Sequence, residues 1–229
     1  MEFISMRTFI LRHDDRLSHE YAKVAANSCD AYDMSWEYFD GFSGIRGSDA
    51  LLSLDIDVAK ETKASFDSTK NKGQLCTASH VAIWKKIIDE NIEEAVILEH
   101  DAIMINHFKM MLPRNSITAL GYRIDRPDRY KKPNQMTSCA TKIDGINGSH
   151  AYALDIHAAK NLYDGVKQRR TAGCIDSHIM QSPRFRNGVG FFIADPIVAL
   201  CWLRTSTIRG TSATDNRGII KSYRENLLP

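Results

Sequence analysis

Apolar and polar residues alternate along this chain in blocks that predict strands and helices by turns. MRTFILR reads as a short apolar strand; the polar turn HDDR ends it, and LSHEYAKVAANSC follows with helical spacing. FDGFSGIRGSDA, punctuated by Gly and Ser, reads as loop. A helix is predicted over CTASHVAIWKKIIDENI. There Ala78, Val81, Ala82, Ile87 and Ile88 share an inward stripe, and Lys85, Lys86, Asp89 and Glu90 face water. After a very short connection comes AVILE, an apolar run of the kind a buried strand requires.

Further on, Ile117 to Tyr122 is a strand candidate, and a basic polar loop, YRIDRPDRYKKP, overlaps its end. Asp144-Gly145 and Asn147-Gly148 signal turns before an alternating strand with His150, Tyr152, Leu154 and Ile156 on one face. HAAKNLYDGVKQRR is an amphipathic helix with Ala159, Leu162 and Val166 inward, and VGFFIADP is a buried strand closed by Pro196. The expectation is one α/β domain over residues 1–229, with a mixed, mostly parallel sheet between helices and a polar tail from about Arg204.

Composition narrows the class without choosing within it. The 229 residues, 43% hydrophobic and 25% charged, suit an ordinary globular protein, and a net charge of +2 makes no case for nucleic acid or an anionic membrane. No stretch approaches the roughly 18 apolar residues of a membrane span. The opening segment is too short in apolar residues for a secretory signal. Five scattered cysteines without a C-x-x-C pair disfavour a disulfide framework and a structural zinc site, so a reducing, cytoplasmic setting is expected.

The strand AVILE runs directly into Glu99, His100 and Asp101. Ligands of open α/β sheets sit at the carboxyl ends of strands. If the extended backbone persists, Glu99 and Asp101 emerge on the same side. Hard divalent cations take such carboxylate oxygens and leave positions open for substrate phosphates. The competing account is a solvated turn with an ordinary structural histidine.

Several segments in order resemble glycosyltransferase family 25, which includes bacterial lipopolysaccharide and collagen galactosyltransferases. Asp15-Arg16 follows the first strand, and CTASHVAIW carries Cys76, Ser79, His80 and Trp84. LEHD carries Leu98, Glu99 and Asp101, and GSHAY carries Gly148 to Tyr152. IDSHIM and DPIVAL complete the series, over roughly residues 7 to 208. Three positions depart from the family pattern: His100 replaces the first Asp of its Asp pair, Phe9-Ile10 replaces Asn-Leu, and Leu75 replaces a Gly.

The resemblance implies a GT-A-type fold and an inverting transfer of sugar from a nucleotide-diphosphate donor, a UDP-sugar above all, to a hydroxyl, with Mn2+ or Mg2+. It implies Asp101 and then Glu99 as metal ligands, and Arg12, Arg16, Ser79, His80, Glu99 and His100 on the donor side. His150 and Tyr152 would face the acceptor. Asp176 is the candidate general base and His178 its alternate, against the plainer role of an N-capping Asp. The acceptor is expected to be a saccharide, a hydroxylated protein side chain or a modified nucleobase, and an anionic glycan or nucleic acid would suit the basic segments. Two other classes compete: a catalytically silent sugar- or nucleotide-binding module on the same scaffold, and a metal-dependent hydrolase using the same acidic strand end.

Overall fold

The computed structural model describes residues 6–60, 72–123, 139–142, 148–170, 174–180, 182–195 and 197–201. Strand β1 (Arg7–Arg12) leads through helix α1 (Arg16–Asp30) to β2 (Trp36–Asp40), and β3 (Glu94–Glu99) follows helix α3 (Lys72–Asp89). Strands β2, β1 and β3 lie side by side and parallel. The sheet then continues through β8 (Ala151–Asp155), β5 (Ser116–Ala119), β9 (Gly190–Asp195) and β7 (Cys139–Lys142). In this seven-stranded sheet β2, β1, β3, β5 and β9 run one way, and β8 and β7 run the other. It is the expected mixed, mostly parallel sheet.

Both faces are covered, which is why the inner strands are apolar throughout rather than alternating. On one face α3 and α4 (Ile156–Arg169) pack over Phe9, Leu11, Ile97, Tyr152 and Leu154. On the other, α1 packs over Ile10, Val96, Leu98 and Ala153. A smaller sheet, β4 (Ala102–Met104), β10 (Ala199–Cys201) and β6 (Gly121–Arg123), closes that side. Helix α1 starts where Asp15 accepts hydrogen bonds from the Leu17 and Ser18 amides, so the Asp of the Asp15-Arg16 pair is a helix cap. Asp155 caps α4 in the same way, through the Ala158 amide.

Local expectations fail in four places. The segment read as loop at 39–50 contains the end of β2 and the start of α2 (Gly47–Leu52). The strand expected over Ile117 to Tyr122 breaks at Leu120, where the chain leaves the large sheet for the small one. The Leu120 carbonyl there accepts from Val198 and Ala199. Ile156 opens α4 rather than continuing the strand. The extended run through Glu99 also stops, because His100 and Asp101 form a turn before β4, so period-two alternation does not relate the two acids. The turn signals at Asp144, Gly145 and Asn147, most of the basic loop, Pro196 and the tail lie outside the described residues.

Candidate active site

Parallel strands bring three carboxyl ends together. Arg12 pairs in register with Asp40, and Leu11 with Glu99, so the exits of β2, β1 and β3 form one edge. Helix α3 crosses behind it. Two adjacent residues of that helix, both fully buried, serve different strand ends. Ser79 Oγ accepts from the Phe42 amide at 2.9 Å and so fixes the loop after β2. His80 reaches Glu99 at the end of β3, Nε2 to Oε1, 3.3 Å.

His80 belongs to a buried chain of hydrogen bonds. The Trp84 indole N–H can only donate, and it donates to the Tyr152 phenol at 3.0 Å. The phenol then donates its own hydrogen to His80 Nδ1 at 2.9 Å, which leaves the hydrogen of Nε2 for Glu99. Ser149 approaches the same Glu99 oxygen, and its hydroxyl also lies 2.7 Å from Asp176 Oδ1, on the short helix α5 (Ile175–His178). Burial by itself would raise the Glu99 carboxyl. The hydrogen bond and charge of His80, then the hydrogen bond from Ser149 and the charge of His150, outweigh it and hold it at about 2.

Asp101 sits differently. One oxygen accepts from the Cys201 thiol at 3.5 Å, while Oδ1 is buried without a partner among the described residues. Burial pushes its carboxyl up, and the charge of Glu99 adds to the shift. His100 Nδ1 and His150 Nε2, on imidazoles that are both 5% exposed, are likewise buried and unpartnered among the described residues. The His100 ring stacks on Tyr21 and meets His13 edge-on, with centroids 6.2 and 6.1 Å apart. Burial, then His100, lowers the pKa of His13.

The structure separates the two acids expected to hold a cation. Asp101 has an uncommitted oxygen, whereas Oε1 of Glu99 already serves His80 and Ser149. Cys76, His80 and Glu99 also place one ligand atom each within 4.8 Å of one another. Both nitrogens of His80 are engaged there, and burial pushes the Cys76 thiol well up, so a cation would have to break the chain and strip a proton. Asp101 is the better fit to a hard cation.

Other expected residues fall in different settings. Arg12 is at the edge, its guanidinium 4.2 Å over the Tyr38 ring and paired to Asp40 through Nε (2.5 Å) and Nη2 (3.3 Å). Arg16 projects from α1 with its side chain 89% exposed and pairs with Glu20 one turn on, apart from the acids. Tyr152, expected to face an acceptor, is 1% exposed and belongs to the interior. Its partner in that expectation, His150, is next to the acids electrostatically. Asp176 is joined to Glu99 through Ser149 and lies in the first turn of α5, whose N-cap is Cys174, so it is not the cap. His178 closes that helix.

Sequence reasoning passed over Asp40 and Gly41. The signal was the short aromatic run WEYF ending on an acid. A Cβ on Gly41 would meet Ser79 Oγ at 2.7 Å and Leu11 Cδ1 at 2.9 Å, so only glycine lets the loop lie against α3. A cavity of about 630 Å3 opens at the opposite end of the strands, lined in part by Arg7, Glu94, Arg114 and His157.

A mixed α/β sheet of this kind takes its ligands at the carboxyl ends of its parallel strands, where Glu99 and Asp101 are buried. The family is settled by sequence: the model of glycosyltransferase family 25 (LPS biosynthesis protein) matches residues 9–180, and the chain belongs to that family. It is a nucleotide-sugar-dependent glycosyltransferase. No curated protein matches it. Among solved structures, a glycosyltransferase involved in the glycosylation of the major capsid of PBCV-1 is 11% identical, with a TM-score of 0.45, covering 96% of this chain and 89% of that one. A197 from STIV is 8% identical, with a TM-score of 0.38, covering 82% and 81%. Among the described residues no helix is long and apolar enough to cross a membrane.

Proposed function

We propose that the chain transfers a sugar from a uridine or related nucleoside diphosphate to a hydroxyl acceptor, with inversion and with a divalent cation, on a GT-A-type arrangement at the exits of β1, β2 and β3. The observation that carries the metal dependence is Asp101, a buried carboxylate with one oxygen unpartnered among the described residues. Such an atom is costly unless something positive completes it. Bound there, Mn2+ or Mg2+ would neutralise charge on the departing diphosphate.

The residues of the chain supply the rest. Glu99 is held ionised by His80 and Ser149. Asp176, the other partner of the Ser149 hydroxyl, is the general base that takes the acceptor proton, with His178 in reserve. His150, whose charge bears on both acids, serves the acceptor side. The acceptor is a saccharide, a hydroxylated protein side chain or a modified nucleobase, and a cytoplasmic setting suits the free cysteines.

The test is a thermal-shift panel of nucleotide sugars with and without manganese. A melting point raised by a nucleotide sugar only when the cation is present supports the reading. Stabilisation that ignores the cation removes the metal from it, and phosphoester cleavage without a sugar donor would favour a hydrolase.

A further inference from the structure

We propose that Asp40 is the ribose-binding residue of the donor site, accepting hydrogen bonds from the 2′- and 3′-hydroxyls of the nucleoside diphosphate. This rests on the reading of the strand exits as the donor site and adds a residue and a specificity to it. In parallel β-α-β units that bind nucleotides, an acid ending the second strand takes the ribose hydroxyls. Here β1, α1 and β2 form such a unit, and Asp40 ends β2 beside the exit of β1.

Asp40 is built to stay in one place while remaining open to a ligand. Its side chain is 71% exposed, yet Arg12 holds both carboxylate oxygens, and Arg12 is itself stacked on Tyr38. Each oxygen keeps a further lone pair, so two hydroxyl donors can be met without breaking the ion pair. The Arg12 hydrogen bond, despite some opposing desolvation, holds the carboxyl below its usual range, which makes it an acceptor only. The next two residues are fixed as well. The Gly41 amide donates to the Arg12 carbonyl at 2.7 Å, and Ser79 holds the Phe42 amide.

The spacing suits the ligand. The strand ends at Asp40 and Glu99 are about two strand spacings, roughly 10 Å, apart along the sheet, with Asp40 beside Arg12 on the α1 face and Glu99 turned to His80 on the α3 face. The turn that holds Asp101 also lies on the α1 side, where His100 stacks on Tyr21, so a nucleoside diphosphate with its ribose at Asp40 carries its second phosphate toward that turn. A plain surface ion pair between Arg12 and Asp40 is the competing account, and it predicts no discrimination between sugars.

Calorimetric titration of the full chain with uridine, cytidine, adenosine and guanosine diphosphates and their 2′-deoxy counterparts, with manganese present, decides between them. The ribonucleotide should bind about tenfold more tightly than its deoxy form, the effect of one hydrogen bond to a charged acceptor. Asp40→Ala should bring that ratio close to one with an unchanged melting transition, and Asp40→Asn should reduce it while keeping measurable binding. An undiminished ratio in either variant, or no ribose preference in the unaltered protein, overturns the Asp40 assignment alone. If the unaltered protein binds none of these diphosphates, the donor-site reading falls, and this one with it.

Discussion

The phenol oxygen of Tyr152 lies 2.9 Å from Nδ1 of His80, and that contact sets the tautomer with which His80 meets Glu99. Two motifs distant in sequence, S-H on α3 and H-A-Y at the start of β8, thus meet inside the molecule and act on a third at the end of β3. Tyr152→Phe keeps the ring and removes the oxygen, leaving the Trp84 indole N–H and His80 Nδ1 buried without partners. The expected loss is about 2–6 kcal/mol, two unsatisfied groups at the usual cost of each. Denaturant unfolding measures it, and a loss below about 0.5 kcal/mol would mean that the chain is not formed.

Glu99 gives the protein a pH dependence of definite sign. Its carboxyl is held at about 2 in the folded state against an ordinary 4.5, so between those values the unfolded chain binds more protons. The stabilisation is fully present above about pH 5 and is lost as the pH falls toward 2. Unfolding free energy followed from pH 6 down to about pH 3 should therefore decline less steeply in Glu99→Gln than in the unaltered protein. Parallel curves would show that Glu99 is not the group responsible.

Much of this architecture could be read from pattern alone, and where it could not, the reason is local. The helices α1, α3 and α4 and the strands β1 and β3 are legible because their apolar residues face covered surfaces along their whole length. Strand β2 was hidden because it stands at the edge of the sheet, half-buried and followed by glycines that read as loop. With β2 went Asp40. The roles within S-H and H-A-Y were hidden for a different reason. Nothing in spacing tells that Tyr152 points inward to His80 while Ser149 turns to Glu99 and Asp176, since the partners come from three separate elements.

At Gly121 the chain begins β6, just past the point where it leaves the large sheet for the small one, and a Cβ would lie 1.7 Å from the carbonyl oxygen of Ala199 on β10. That atom is backbone held in a strand and cannot swing aside. Gly121→Ala should cost about 3 kcal/mol or more by forcing the small sheet apart. Because β10 carries Cys201, the partner of Asp101, the same change should also weaken manganese-dependent nucleotide binding. Unaltered denaturant midpoint and binding would show that the two sheets part easily.

Asp101 should oppose stability in the metal-free protein, the reverse of Glu99. Burial, reinforced by the Glu99 charge, raises its folded carboxyl above the ordinary 3.8, outweighing the pull of His100, His150 and Cys201. For an acid shifted upward the ionised form costs more in the folded chain than in the unfolded one. Stability is therefore reduced at pH values above the raised pKa and recovered as the pH falls through it. Asp101→Asn keeps the shape and removes the charge, so at neutral pH without metal it should melt higher, by the equivalent of about 1 kcal/mol. The same variant should lose the extra stability that manganese and uridine diphosphate together confer. A variant that melts lower without metal, yet keeps that gain, would show that Asp101 is a structural acid and that the cation binds elsewhere.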